Sequence, residues 1–314
     1  MYGAPAVIES TVFARLPETY RDMRLSTWAE ATRGRPMDCM LEGPSFDRNG
    51  GLYLVDISNG RVMRVSAAGA WEVVAEYDGW PNGLKIHKDG RLFVADHMTG
   101  IVRIDPATGA VAPVLRHYKG EWFKGINDLV FASNGDLYFT DQGQTGWQDP
   151  TGRVFRLAAS GRLELLVATV PSPNGLVLNL DETELYVAVT RANAVWRVPL
   201  ASAGTSRVGT FIQLSGGTGG PDGLALDADG GIIVAHLGIG VWRFDSLGRP
   251  THLIKSAAGN RCTNIAFGGP ENRQLFITES ETGTILKAEL PVPGRSMYSH
   301  AREIEQSPRE IPAP

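Results

Sequence analysis

Cysteine is nearly missing from this chain: Cys39 and Cys262 are the only two in 314 residues. A disulfide framework is therefore excluded as the source of stability. A closed ring could bring the pair into one bridge, but the base expectation is two buried free thiols. Long apolar runs are missing too, and nothing approaches the ~18 residues of a membrane span. The start, MYGAPAVIESTVF, has no basic stretch leading into an apolar core. No secretory signal is expected, and the default location is cytoplasmic. Excess positive charge is absent, the net charge being −4, so a nucleic-acid footprint is not expected. There is no G-x-S-x-G elbow, no H-E-x-x-H or C-x-x-C spacing and no GxxxxGK[ST] loop. These absences exclude a serine hydrolase of that type, those zinc sites and a P-loop nucleotide site.

What is present is turn-forming residues and short apolar runs. Glycine (37) and proline (19) are spread along the chain rather than gathered in one tract, which points to many turns. A block of about fifteen residues recurs six times. It appears as EGPSFDRNGGLYLVD from Glu42, PNGLKIHKDGRLFVAD from Pro81 and INDLVFASNGDLYFTD from Ile126. It returns as PNGLVLNLDETELYVAV from Pro173, PDGLALDADGGIIVAH from Pro221 and TNIAFGGPENRQLFITE from Thr263. The leading polar residues are Glu42, Asn82, Asn127, Asn174, Asp222 and Asn264, separated by 40, 45, 47, 48 and 42 positions. Such a period signals a solenoid or a propeller.

Each block holds two alternating runs flanking a turn, a hairpin pattern. A third run follows each hairpin and a weaker fourth follows most of them, for example WEVVAEY and LELLVATV. Six repeats of four strands, with no convincing long amphipathic helix, predict an all-β, six-bladed propeller with four-stranded antiparallel blades in one domain. A solenoid would need polar capping repeats, and neither end supplies one. The run from Val7 to Ala14 is expected to close the ring on the last blade. Residues 15 to 40 read as an insertion over one face, and the tail from about 291 as irregular.

Inner-strand starts lie at one mouth of a propeller channel. The six leading residues would then form a ring of side-chain oxygens with two carboxylates. Taken singly, each is a turn residue satisfying local backbone groups. Taken together, they suit a hard divalent cation. A second set follows the second run: Asp56, Asp96, Asp141, Val189, His236 and Glu279. Asp56 and Asp96 there read as turn anchors. His236 reads as either a satisfied structural histidine or a catalytic one.

At EGPSFD, GINDLVF, PNGLVL and PDGLALDADG the sequence resembles the gluconolactonase, or regucalcin (senescence marker protein), family of six-bladed propellers. The resemblance covers roughly residues 40 to 290. It implies one divalent metal held by Glu42, Asn127, Asn174 and Asp222, with Asp222 also the candidate base. An all-oxygen shell favours Ca²⁺, with Mg²⁺, Mn²⁺, Zn²⁺ or Fe²⁺ able to occupy it. It further implies a metal-dependent lactonase acting on a small-molecule lactone, with no nucleic-acid or membrane partner. A phosphotriesterase or arylesterase on the same site is the alternative, as is a non-catalytic propeller stabilised by Ca²⁺. Asn82, Asp141, Trp122, Trp147 and Asn264 are expected to contact substrate, and His236 to assist catalysis. One position departs from the pattern. Sugar-lactone members often carry Arg two residues before the third-blade Asn, where Gly125 stands here. With Trp122 and Trp147 nearby, that implies a less polar ring.

Overall fold

A computed structural model describes residues 3–201 and 204–301. Six antiparallel sheets are arranged as a six-bladed β-propeller. Their inner strands are Leu41–Phe46, Pro81–Ile86, Ile126–Phe131, Pro173–Leu178, Gly220–Leu226 and Cys262–Gly268. Blades I to VI are named in that order. Each inner strand pairs with the next strand in sequence, so every blade is a meander running outward from the channel. The repeat blocks are thus the inner hairpins, and the strands begin one or two residues before the leading polar residues.

The hairpin turns use side chains to satisfy the backbone. Asp47 Oδ1 accepts from the N–H groups of Asn49 and Gly51, both at 2.8 Å. Asp227 does the same for Asp229 and Gly231. The core lies between blades, where alternating apolar residues of neighbouring sheets meet. Blades I and II share Val55, Val62, Leu84 and Val94. In blade III, Phe139 and Phe155 stack at 5.2 Å and are fully buried. Each such side chain contributes roughly 1.5–3 kcal/mol by leaving water.

Only the second half of the N-terminal run closes the ring on the last blade. The N-terminal run is split at the buried Ser10. Ala6–Glu9 adds a fifth strand, parallel, to the outer edge of blade V. Thr11–Arg15 then supplies the fourth strand of blade VI, antiparallel to Thr284–Glu289. Period-2 alternation cannot reveal such a switch, because both halves keep the strand pattern. Blade IV also exceeds four strands, since Gly204–Thr205 pairs with the end of Ala194–Ala201. The insertion after Arg15 contains a short helix, Thr27–Arg33, capped by Ser26 Oγ at its start and by Gly34 at its end.

Near the channel, inner strands approach so closely that a side chain is excluded. A Cβ at Gly83 would lie 2.4 Å from Asp128 Oδ1, and one at Gly223 would lie 2.1 Å from Asn264 Oδ1. This is the physical reason for the glycine in PNG and PDG. The channel has two different ends. One opens into a polar cavity of about 620 Å³ beside the insertion. The other is crossed by Arg295–Ala301, over a smaller space of about 220 Å³ lined by apolar inner-strand residues. The tail from 291 is irregular apart from the 3-10 turn Tyr298–His300, and residues 302–314 lie outside the described part.

Candidate active site

The strand register explains how the leading residues reach the cavity. In every blade the residue before or beside the leading position pairs with the end of the second strand, as Leu41 with Asp56 and Ile126 with Asp141. The register then shifts through a bulge at each leading residue, for instance between Glu42 and Ser45 and between Pro221 and Leu224. A bulge breaks alternation and re-aims side chains. Glu42, Asn127, Asn174 and Asp222 all line the 620 Å³ cavity, together with Asn82. Those four are buried, each keeping 4–7% of its surface exposed.

The two amides are held in a fixed sense. Asn127 Nδ2 donates to Gln142 Oε1 at 3.0 Å, and Asn174 Nδ2 donates to Thr190 Oγ1 at 3.2 Å. Their carbonyl oxygens are left for the cavity. Glu42 Oε2 accepts from its neighbour Gly43 N and from Asn264 Nδ2, both at 2.9 Å. Burial pushes the Glu42 carboxyl up to about 7, with Asp128 adding repulsion against those hydrogen bonds. Burial also raises Asp222 well above the usual carboxylate range, and the charges of Glu42 and Asp128 raise it further. Asp128 is raised by burial as well, partly offset by Lys85, whose Nζ lies 3.9 Å away.

Neither Glu42 nor Asp222 takes part in an ion pair among the described residues. Two crowded carboxylates facing two fixed amide oxygens form an all-oxygen donor set of charge −2. That set fits a hard divalent cation, which would relieve the repulsion that burial creates. No group of three or more His, Cys, Asp or Glu is placed to hold a metal among the described residues. The candidate set falls outside that class because half of it is amide.

Other expected residues lie elsewhere. Asp141 is fully buried behind the strand, accepting from Gly125 N at 2.9 Å and pairing with Arg153. It anchors the start of the blade III inner strand instead of touching a ligand. Asp56 likewise pairs with Arg61 at 2.6 Å, and Asp96 accepts from Tyr77 Oη at 2.9 Å. Asn264 is off the cavity wall and orients Glu42. His236 is fully buried, its Nδ1 accepting from Trp242 Nε1 at 3.3 Å, and is not part of the cavity wall. Trp122 and Trp147 are 59% and 68% exposed and do not line the cavity either. Trp122 instead sits in a two-residue strand across from His117.

Sequence reasoning missed His97, Gln142, Arg33, Arg191 and Arg261, all on the wall. His97 explains Gly125. A Cβ there would fall 2.3 Å from His97 Nε2, and the backbone is at φ +148°. The imidazole from blade II occupies the space a blade III side chain would need. It stacks on Trp80, and burial lowers its pKa against the opposing charges of Asp141 and Asp96. The only sequence signal was its place directly after Asp96.

Residues 40–281 match the family described as SMP-30/Gluconolactonase/LRE-like region. The chain is 32% identical over 271 residues to a gluconolactonase of Zymomonas mobilis, covering 76% of each chain. It is 30% identical over 260 residues to lactonase drp35 of Staphylococcus aureus, covering 77% of this chain and 78% of that one. Among solved structures, a putative gluconolactonase superposes with a TM-score of 0.71 at 26% identity, covering 82% of this chain and 91% of that one. A calcium-binding regucalcin of Agrobacterium tumefaciens shares the fold, with a TM-score of 0.76 at 24% identity, covering 95% and 100%.

Proposed function

The chain belongs to the SMP-30/gluconolactonase/LRE-like family, and on that premise we propose that it is a metal-dependent hydrolase that opens a lactone ring in the cavity above Asp222. The observation that supports this most is the pair of buried carboxylates, Glu42 and Asp222, set beside two fixed amides on the wall of an open cavity. A propeller that only displayed surfaces would gain nothing from that repulsion.

Glu42, Asn127, Asn174 and Asp222 would hold one divalent cation, Ca²⁺ being favoured by the oxygen donors. When bound, it supplies Lewis-acid polarisation of a carbonyl. The remaining work belongs to the side chains. Asp222 takes a proton from water as the water oxygen bonds to the lactone carbon. The carbon–ring-oxygen bond then breaks, and the ring oxygen leaves as a hydroxyl after receiving that proton. The product is a hydroxy acid. Glu42 is oriented for its part by Gly43 N and Asn264. Asn127 and Asn174 stay neutral, so the site keeps its affinity for electron density.

A pH-stat assay tests the reading, with D-glucono-1,5-lactone, an aliphatic lactone and paraoxon as substrates. Lactone opening should exceed paraoxon cleavage. Asp222→Asn should lower kcat at least about a hundredfold, the usual range for loss of a base. Paraoxon cleavage without lactone opening would move the assignment to the arylesterase class.

A further inference from the structure

The cavity wall carries more positive than negative charge. Arg33, Arg191 and Arg261 line it against Glu42 and Asp222. The three arginines come from unrelated segments: the last turn of the inserted helix, the 3-10 turn Thr190–Ala192 of blade IV, and the residue before the inner strand of blade VI. Most arginines of this chain are committed to carboxylates, such as Arg61 to Asp56, Arg153 to Asp141 and Arg243 to Asp227. These three have no carboxylate partner and donate no side-chain hydrogen bond among the described residues. Arg33 is held over the ring of Trp28 at 5.3 Å, and Trp28 is itself part of the wall. Arg33 feels the charges of Arg261 and Arg191 and, against them, that of Asp222, which places the three arginines and this carboxylate in one field.

Three guanidinium groups with no direct carboxylate contact, one of them feeling Asp222 at longer range, repel one another unless a ligand supplies further negative charge. A divalent cation on Glu42 and Asp222 would cancel the two negative charges and leave three positive ones facing the substrate. We propose that Arg33, Arg191 and Arg261 form an anion subsite, and that the substrate is a lactone carrying a second, anionic group, a carboxylate or a phosphate. This rests on the lactonase reading above and narrows its substrate. It also replaces the less polar ring expected from Gly125 and the two tryptophans, since neither tryptophan reaches the cavity. Guanidinium groups suit both anions because their donors match paired oxygens.

The test uses two readouts. Calorimetry compares D-glucose with D-glucuronate and glucose 6-phosphate, rings of similar size that have no lactone bond to open. The anionic rings should bind the full-length, cation-loaded protein at least about tenfold more tightly, a difference of about 1.4 kcal/mol. That advantage should fall below about threefold in Arg191→Gln/Arg261→Gln. Arg33 is left in place because it packs on Trp28. The melting temperature of the double variant should match the parent, which separates lost binding from lost folding. Turnover then compares gluconolactone with a carboxylate-bearing glucarolactone and a 6-phosphogluconolactone. The ratio of kcat/KM, anionic over neutral, should exceed about ten and collapse through KM in the double variant. The preferred anion distinguishes carboxylate from phosphate. Equal binding of glucose and the anionic rings would overturn the subsite. So would an advantage that survives the double substitution, since Arg33 alone or the Glu42/Asp222 centre would then hold the anion. Arginine-dependent anion binding with no lactone opened would instead overturn the lactonase reading and leave the subsite standing.

Discussion

Glu42 is buried, ionisable and without a cationic partner, so its charge works against the fold. Its folded pKa, about 7, lies above the ordinary value of 4.5. Between those values the folded state holds more protons than the unfolded one, so stability falls as pH rises across that window. By pH 7 the loss from this group is on the order of 3 kcal/mol. In chelator-treated protein the melting temperature of Glu42→Gln relative to the parent should therefore rise progressively from pH 4.5 to 7. Glu42→Gln should raise the melting temperature of chelated protein at pH 7 by several degrees and remove the stabilisation by added Ca²⁺. Calorimetric melting with and without chelator checks both; a lower melting temperature for the chelated variant would contradict them. His97 is tested at Gly125. Gly125→Ala should displace the imidazole, strain a positive-φ position and cost about 1–3 kcal/mol, read as a shift in urea midpoint. Glu42, Asn127, Asn174 and Asp222 were legible as blade-start residues at one mouth because each sits in a repeated motif with glycine or proline beside it. Arg33, Arg191 and Arg261 were not, since they lie outside the repeat, on turns where exposed arginine is ordinary.

The inner hairpins were the most legible elements, because their alternation and turn chemistry agree. Their bulges were not legible, as an extra residue leaves the apolar count almost unchanged. That is why Asp128, which regular alternation would turn away from Asn127, lies within reach of the charges of Glu42 and Asp222. The N-terminal strands make a prediction at this scale. Ala6–Glu9 is an exposed fifth strand, whereas Thr11–Arg15 completes blade VI and brings Phe13 to 5.0 Å from Phe276. Deleting residues 1–9 should lower the melting temperature by a few degrees only. Deleting 1–15 should prevent folding by removing the closure of the ring, observable as loss of the cooperative transition. Equal melting of the two truncations would contradict this assignment of roles.

As a whole, the molecule gives the channel one polar mouth and one covered end. The six-fold period in the sequence was enough to reach this architecture; the covering by Arg295–Ala301 was not readable in an irregular tail. No helix among the described residues is long and apolar enough to cross a membrane. The two cysteines are free and buried in different parts of the ring, with the Cys262 thiol pushed up to about 12 by burial and Glu279. Native protein should therefore not react with a thiol reagent at pH 8 within an hour, and should release two thiols per chain on unfolding.

The central claim is that lactone opening depends on a cation held by the four blade-start residues. The most direct measurement is turnover of D-glucono-1,5-lactone by one protein sample in three states: as purified, stripped by chelator, and reloaded with one equivalent of Ca²⁺ per chain. Activity should fall to the spontaneous rate on stripping and return on reloading, and Asp222→Asn should not recover. Full activity in the stripped protein would contradict the account.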